Sequence, residues 1–138
     1  VTGRICDLMM RHGYSPVASR KIPLVIAMFG VAICTLLTAN TSNVTLAITY
    51  ISVTLFLLYS ISCAAWSMPT VVAPSRYPAS LSSIQNFFGY LGAALAPIVT
   101  GRIADITGSF RDALLVGALI VTVGAFIHIV LVRKPVAT

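Results

Sequence analysis

Two side chains in otherwise apolar surroundings offer hydrogen bonding and stacking rather than acid–base chemistry. Asn86 carries an amide that can both donate and accept, and Trp66 has an apolar ring face with one N–H donor. Trp66 lies ten residues before Arg76, and Asn86 lies ten residues after it. On two helices that meet near Arg76, both side chains reach roughly 12 to 15 Å from that end. We therefore predict that Asn86 and Trp66 share one depth and contact one ligand.

Nearby groups extend this candidate site, and each member also has a purely structural interpretation. Gln85 is rotated by about 100° from Asn86 on a helix, so it either faces the same ligand or hydrogen-bonds another helix. Tyr59 lies on the same polar and aromatic stripe as Trp66. Asn86 can equally bond a neighbouring helix, and Trp66 can fill space. The candidate ligand-binding residues are Asn86, Trp66, Gln85 and Tyr59, with Cys63, Ser67 and Ser82 as weaker additions.

The remaining reactive side chains do not predict an enzyme. The three acidic residues lie outside the long apolar stretches, the three cysteines are far apart, and the two histidines are His12 and His128. They form neither a nucleophile with its base nor a cluster of metal ligands. His128 stands five residues before Arg133, a position that favours anchoring at a membrane surface over proton transfer. We predict no catalytic residue, no metal and no cofactor.

The composition predicts a membrane protein that binds no nucleic acid. Apolar residues make up 58% of the chain and charged residues 9%, against about 25% charged in soluble domains. The net charge of +6 comes from Lys and Arg residues at the ends of apolar runs. Such placement orients a protein in a lipid bilayer, whereas nucleic-acid binding would need one basic soluble face.

Four apolar stretches are long enough to cross a bilayer, since a spanning helix needs about 20 residues. They are residues 22–39, 44–72, 81–101 and 113–132, separated by residues 40–43, a proline-rich turn around Arg76, and a loop over 102–112. The predicted fold is an all-α membrane protein with four transmembrane helices. Residues 1–21 are expected to form a cytoplasmic loop, and residues 22–138 the membrane segment with a cytoplasmic tail.

The distribution of basic residues predicts the orientation of the spans. One side of the membrane would hold seven basic residues and the other only Arg102 and Arg111. The positive-inside rule places the larger group in the cytoplasm, so both chain ends are expected there, in a multi-pass protein of the cell membrane. The cytoplasmic group is Arg4, Arg11, Arg20, Lys21, Arg76, Arg133 and Lys134.

The second and third spans differ from the others in carrying polar and small residues along one face. Polar groups at membrane depth face protein or water, and small residues let helices approach closely. These two spans are therefore expected to line an internal cavity, with the first and fourth outside them as support. A dry, tightly packed bundle is the alternative.

Two sequence motifs resemble those of the major facilitator superfamily, and within it of the anion:cation symporter family. Residues 3–13 read G-x-x-x-D-x-x-x-R-x-G and are followed by RK at 20–21, as in the cytoplasmic loop between the eighth and ninth helices of that superfamily. Residues 83–92, SIQNFFGYLG, with APIVTG at 96–101 and DITGSF at 105–110, resemble its eleventh helix. The resemblance implies helices nine to twelve of a twelve-helix transporter.

The resemblance also implies a function and partners. Such carriers move sugar acids, other carboxylates or related organic anions, often with protons, and the N-terminal helices would lie upstream of Val1. The loop motif implies a conformational switch, and Pro97 would bend its helix, so the candidate gating residues are Asp7, Arg11, Arg76, Gly89 and Pro97. Gly89 can equally be a packing position. The alternative function is a self-contained four-helix membrane protein, acting as a structural or assembly subunit or as an oligomeric exporter.

Overall fold

The computed structural model describes residues 2–74 and 76–132, and every regular element within them is a helix. In chain order these are α1 (Thr2–Arg11), α2 (Pro16–Asn40), α3 (Val44–Trp66), α4 (Pro69–Val72), α5 (Pro78–Thr107) and α6 (Phe110–Leu131). Four candidate spans are long and apolar enough to cross a membrane, with α3 and α4 together forming the second. The predicted all-α multi-pass membrane fold is confirmed, while the expected tail from Arg133 onwards lies outside the described residues.

The first span begins earlier than predicted, because its start is set by a cap and not by the end of the charged segment. Ser15 is the N-cap, and its Oγ accepts a hydrogen bond from the Ala18 N–H at 3.2 Å. Pro16 follows in the first turn, where its missing N–H costs nothing. Arg20 and Lys21 therefore lie within α2, and the segment 1–21 contains α1 as well as a loop.

The second span is not one continuous helix. The α-helix ends at Trp66 and resumes as the single turn Pro69–Val72. Proline has no N–H for the hydrogen bond to the residue four positions earlier, and its ring crowds that carbonyl. The predicted span over 44–72 agrees with the structure, and within it the helix is interrupted at Ser67 and Met68, just before Pro69.

The third span continues beyond the predicted boundary at Gly101. The helix passes through Arg102 and ends at Thr107, where Gly108 adopts φ of 70° and donates its N–H to the Ala104 carbonyl at 2.8 Å. Charged residues do not end a helix that is leaving the membrane, whereas a glycine in the left-handed conformation does. The expected loop over 102–112 is thus limited to the short connection between Thr107 and Phe110.

The first span is the helix on which the second and fourth spans pack. Leu24 and Val31 on α2 are buried, at 1% and 3% exposure. A Cβ on Gly30 would lie 2.8 Å from Leu57 Cδ1, so α3 approaches α2 closely at that point. Phe29 packs edge to face on Phe126 of α6, with ring centroids 5.7 Å apart. In contrast, α5 contains no buried residue.

Gly108→Ala tests the glycine that ends α5. An alanine there gains no clash, since no atom lies within 4 Å of the added Cβ, but it must adopt a positive φ. We expect a loss of about 1 kcal/mol in stability. The matched control is Gly101→Ala, which is also unobstructed but helical and should be neutral or stabilising. Thermal unfolding midpoints of the purified chain in detergent provide the measurement, and equal effects of both changes would contradict the assignment.

Candidate binding site

The structure brings Trp66 and Asn86 together between the second and third spans. Both side chains line a small cavity of about 50 Å³, whose other walls are Pro69, Ser82 and Gln85. Both also line a cavity of about 200 Å³ with Gly89, Tyr90 and Ala93. The two leading candidates from the sequence therefore stand side by side, while their role in binding remains a prediction.

The chemistry of this pocket is that of an uncharged hydrogen-bonding and stacking site. Asn86 is half-buried and Trp66 is 62% exposed, so an amide and an aromatic face are both available to a ligand. A sugar-like molecule uses such a pair well, since its hydroxyls meet the amide and its carbon face meets the ring. The pocket residues include neither a base nor an acid.

Tyr90 is a pocket residue that the sequence reasoning missed. It lies four residues after Asn86 in α5, lines the larger cavity beside it, and is 68% exposed. Residues four apart share one face of a helix, so this spacing was the available signal. Tyr90 adds a phenolic hydroxyl, which can donate and accept.

Tyr59 is not brought to the pocket. It lies two helical turns before Trp66, about 10 Å along α3, and lines neither of the two cavities that contain Trp66. Its side chain is 77% exposed. The same helix face therefore carries both residues, but at different depths.

Gln85 takes the second of its two predicted roles. Its Nε2 donates to the Ala65 carbonyl of α3 at 3.0 Å, so the amide bonds another helix. The side chain also forms part of the wall of the small cavity. Among the side-chain hydrogen bonds of the described residues, one is donated by Gln85 and none involves Asn86, which leaves the Asn86 amide available.

Two further polar contacts join helices at one end of the bundle. We call this the basic end and define it by Arg20, Lys21 and Arg76. Arg20 Nε donates to Ser67 Oγ at 3.1 Å, and Lys21 Nζ donates to the Ile129 carbonyl at 2.8 Å. The second contact places a cation at the C-terminal end of α6, where the helix dipole favours it. The weaker candidate Ser67 is thus held within the protein.

His128 lies near this basic end and outside the Trp66 and Asn86 pocket. Its Nδ1 is 3.0 Å from the Gly124 carbonyl of its own helix, a contact that requires the tautomer protonated at Nδ1. The ring lines a separate apolar cavity of about 340 Å³ that also includes Gln85 and Met68.

The candidate gating residues are spread over three places. Asp7 and Arg11 are exposed on α1, and Arg76 is exposed in the turn between α4 and α5.

Cys6 precedes Asp7 in α1 and is buried. Burial raises the pKa of the Cys6 thiol, which therefore stays protonated at neutral pH.

The other two gating candidates lie within α5. A Cβ added to Gly89 would meet no atom within 4 Å, so no packing partner for it is found among the described residues. Pro97 is inside the helix.

Four helices long and apolar enough to span a membrane define a multi-pass membrane protein, and an amide and aromatic groups line its pocket. Known proteins with similar sequences are membrane transporters. The L-galactonate transporter of Escherichia coli strain K12, described as probable, is 37% identical over 99% of this chain. The D-galactonate transporter of Escherichia coli O6:H1 is 29% identical over 96% of it, and the hexuronate transporter of Bacillus subtilis strain 168 is 29% identical over 75%. No family model matches the chain.

The chain is a homologue of sugar-acid transporters of the major facilitator superfamily, as its motifs predicted. It spans about 30% of the length of the two galactonate transporters. Since these named relatives are transporters, the prediction that the chain is not an enzyme is also confirmed.

Proposed function

We propose that this chain supplies helices nine to twelve of a twelve-helix secondary carrier that moves a sugar acid or a similar small organic anion across the cell membrane. The observation that carries the proposal is the similarity of nearly the whole chain to galactonate transporters that are about three times its length. In such carriers, substrate binds near the midplane between structural repeats. The pocket formed by Trp66 and Asn86 is our candidate for this chain's share of that site.

In this proposal each pocket residue has a distinct role toward a sugar acid. Asn86 hydrogen-bonds a hydroxyl or the carboxylate, Trp66 covers the apolar face of the carbon chain, and Tyr90 offers one more hydroxyl contact. The pocket residues are uncharged, so the positive charge that balances a bound carboxylate must come from other helices of the carrier. The same holds for the carboxylate that would bind a coupling proton.

Asn86→Ala tests the proposed binding role in the intact carrier. We expect uptake of galactonate to fall tenfold or more with membrane abundance near normal, because about 1.4 kcal/mol of lost binding gives a factor of ten. Ser83→Ala is the matched control, since the Ser83 hydroxyl donates to the Ala79 carbonyl of its own helix and bonds no other helix among the described residues. Reduced abundance with unchanged affinity in the surviving protein would identify Asn86 as a packing residue instead.

The double variant with Trp66→Ala sharpens this test. If both side chains contact one substrate, the losses of binding free energy in the two single variants do not add up to the loss in the double variant. If they are independent packing residues, their losses of folding stability add.

We also propose that the basic end of the bundle faces the cytoplasm, on the basis of seven basic residues against two. In a cysteine-free background, Ser42→Cys and Ser109→Cys should react with a membrane-impermeant maleimide added to whole cells. His12→Cys, at the other end of the spans, should react only after the cells are permeabilised. The reverse labelling pattern would overturn the orientation.

Asp7, Arg11 and Arg76 are proposed to act in the switch between inward-open and outward-open states. In this role the Asp7 carboxylate is the hydrogen-bond acceptor within the loop motif. If so, Asp7→Asn should slow turnover in the intact carrier more than it weakens substrate binding. Asp7→Glu keeps the charge and should restore most of the rate. Uptake kinetics beside equilibrium binding separate the two effects, and an equal loss in both would argue against a switching role.

A further inference from the structure

The interruption of the second span just before Pro69 deprives several backbone carbonyls of their usual helical donors, among them those of Ala64 and Ala65. In a regular helix the N–H of residue 69 would bond the Ala65 carbonyl, but proline has none. In a regular helix the Met68 N–H would bond the Ala64 carbonyl, four residues earlier. Here it donates to the Ala65 carbonyl at 3.1 Å instead, so the Ala64 carbonyl also loses its regular donor. Within a bilayer there is no water to take over, so such groups must find partners in the protein.

One side chain of the break itself and one of α5 donate to these two carbonyls. Ser67 Oγ donates to the Ala64 carbonyl at 2.9 Å and in turn accepts from Arg20 Nε of α2. Gln85 Nε2 of α5 donates to the Ala65 carbonyl at 3.0 Å. Among the described residues, this is the side-chain hydrogen bond that joins α5 to α3.

The hydrogen bond between Gln85 and Ala65 lies directly beside Trp66 and Asn86 in the sequence. Ala65 precedes Trp66 directly, and Gln85 precedes Asn86 directly, so the bond ties together the two backbones immediately next to the pocket residues. Packing against α3 contributes little to this register, since α5 has no buried residue and packs mainly on α6 and α4. A slide of one turn would separate the Trp66 ring from the Asn86 amide by about 5 Å.

We propose that Gln85 is a positioning residue: it bonds the Ala65 carbonyl, which has lost its regular helical donor at Pro69, and so holds Trp66 and Asn86 at one depth. That Trp66 and Asn86 then bind substrate rests on the proposed function, but the bond and its effect on register do not. The proline break thus serves as an attachment point between the second and third spans.

The register can be measured in the 138-residue chain itself, because Trp66 is its single tryptophan. A nitroxide attached to Gly89→Cys, after the three native cysteines are changed to serine, lies across the larger cavity from the indole and should quench its fluorescence. Gln85→Met keeps the size of the side chain but removes the donor, and we expect it to abolish most of the quenching in lipid nanodiscs. Full quenching in Gln85→Met would overturn the proposal.

The control is Ser82→Ala, which alters the same small cavity without touching the bond. The Ser82 hydroxyl donates to the Pro78 carbonyl of its own helix at 2.9 Å, so quenching should remain as in the parent chain. A loss of quenching in Ser82→Ala equal to that in Gln85→Met would mean that any change of the cavity wall disturbs the register, and would also overturn the proposal.

A second measurement tests whether Pro69 makes the Ala65 carbonyl available to Gln85. Pro69→Ala restores the backbone donor to Ala65, so Gln85→Met should lower the thermal midpoint clearly in the parent chain and little in the Pro69→Ala background. An equal drop in both backgrounds would show that Gln85 does not act through that carbonyl.

In the intact carrier, Gln85→Met should raise the KM for galactonate about fivefold, as expected from one lost hydrogen bond, with kcat nearly unchanged. If quenching is lost but uptake does not respond to Asn86→Ala, the positioning role stands and the proposed substrate site fails. If uptake responds to Asn86→Ala while quenching survives Gln85→Met, the proposed substrate site stands and the positioning role of Gln85 fails.

Discussion

The absence of water in the bilayer core is the constraint on which this structure depends. Every backbone N–H and C=O at membrane depth must bond within the protein, and a continuous helix is the simplest solution. The chain departs from it at Pro69, in the second span, and there the side chains of Ser67 and Gln85 replace the missing backbone donors. Elsewhere the helix ends are capped: Asn43 Oδ1 accepts from the first N–H groups of α3, and Gly108 ends α5.

The same constraint explains how the helices are held at their two ends. Lys21 and Arg20 bond to α6 and to the break region at the basic end, while at the opposite end Arg111 Nη2 donates to Asn40 Oδ1 at 2.6 Å. Between these ends α2 packs through small residues and aromatic contacts with α3 and α6. The third span has no buried residue, and in the proposed carrier its exposed polar face would contact further helices.

The sequence predicted the number and approximate position of the spans because apolar length is a strong signal that packing does not alter. It failed where a single residue decides the backbone. Arg102 suggested a loop, yet the helix ends only at Gly108, since a left-handed glycine and not a charge stops it. The 44–72 stretch was continuous in hydropathy, and only the missing N–H of Pro69 divides it.

The pocket shows the same limit at the level of side chains. Counting ten residues on either side of Arg76 placed Trp66 and Asn86 together, because depth along a helix follows directly from residue number. The same count could not decide whether Gln85 faces a ligand or a helix, since that depends on which carbonyl across the interface lacks a donor. Neither could it exclude Tyr59, which shares the face of Trp66 but lies two turns away.

The two neighbouring amides of α5 illustrate how a membrane protein can separate structure from binding. Gln85 and Asn86 have the same functional group and differ by about 100° around the helix. The longer side chain reaches the Ala65 carbonyl and is thereby fixed, whereas the shorter one stays in the cavity beside Trp66. The bond to the Ala65 carbonyl fixes the Gln85 side chain relative to α3, so the fixed residue can define the position of the free one. Because the free amide is uncharged, this part of the pocket suits hydroxyl groups better than it suits a carboxylate alone. Under the proposed function, the charged end of a sugar acid would then be directed toward helices outside this chain.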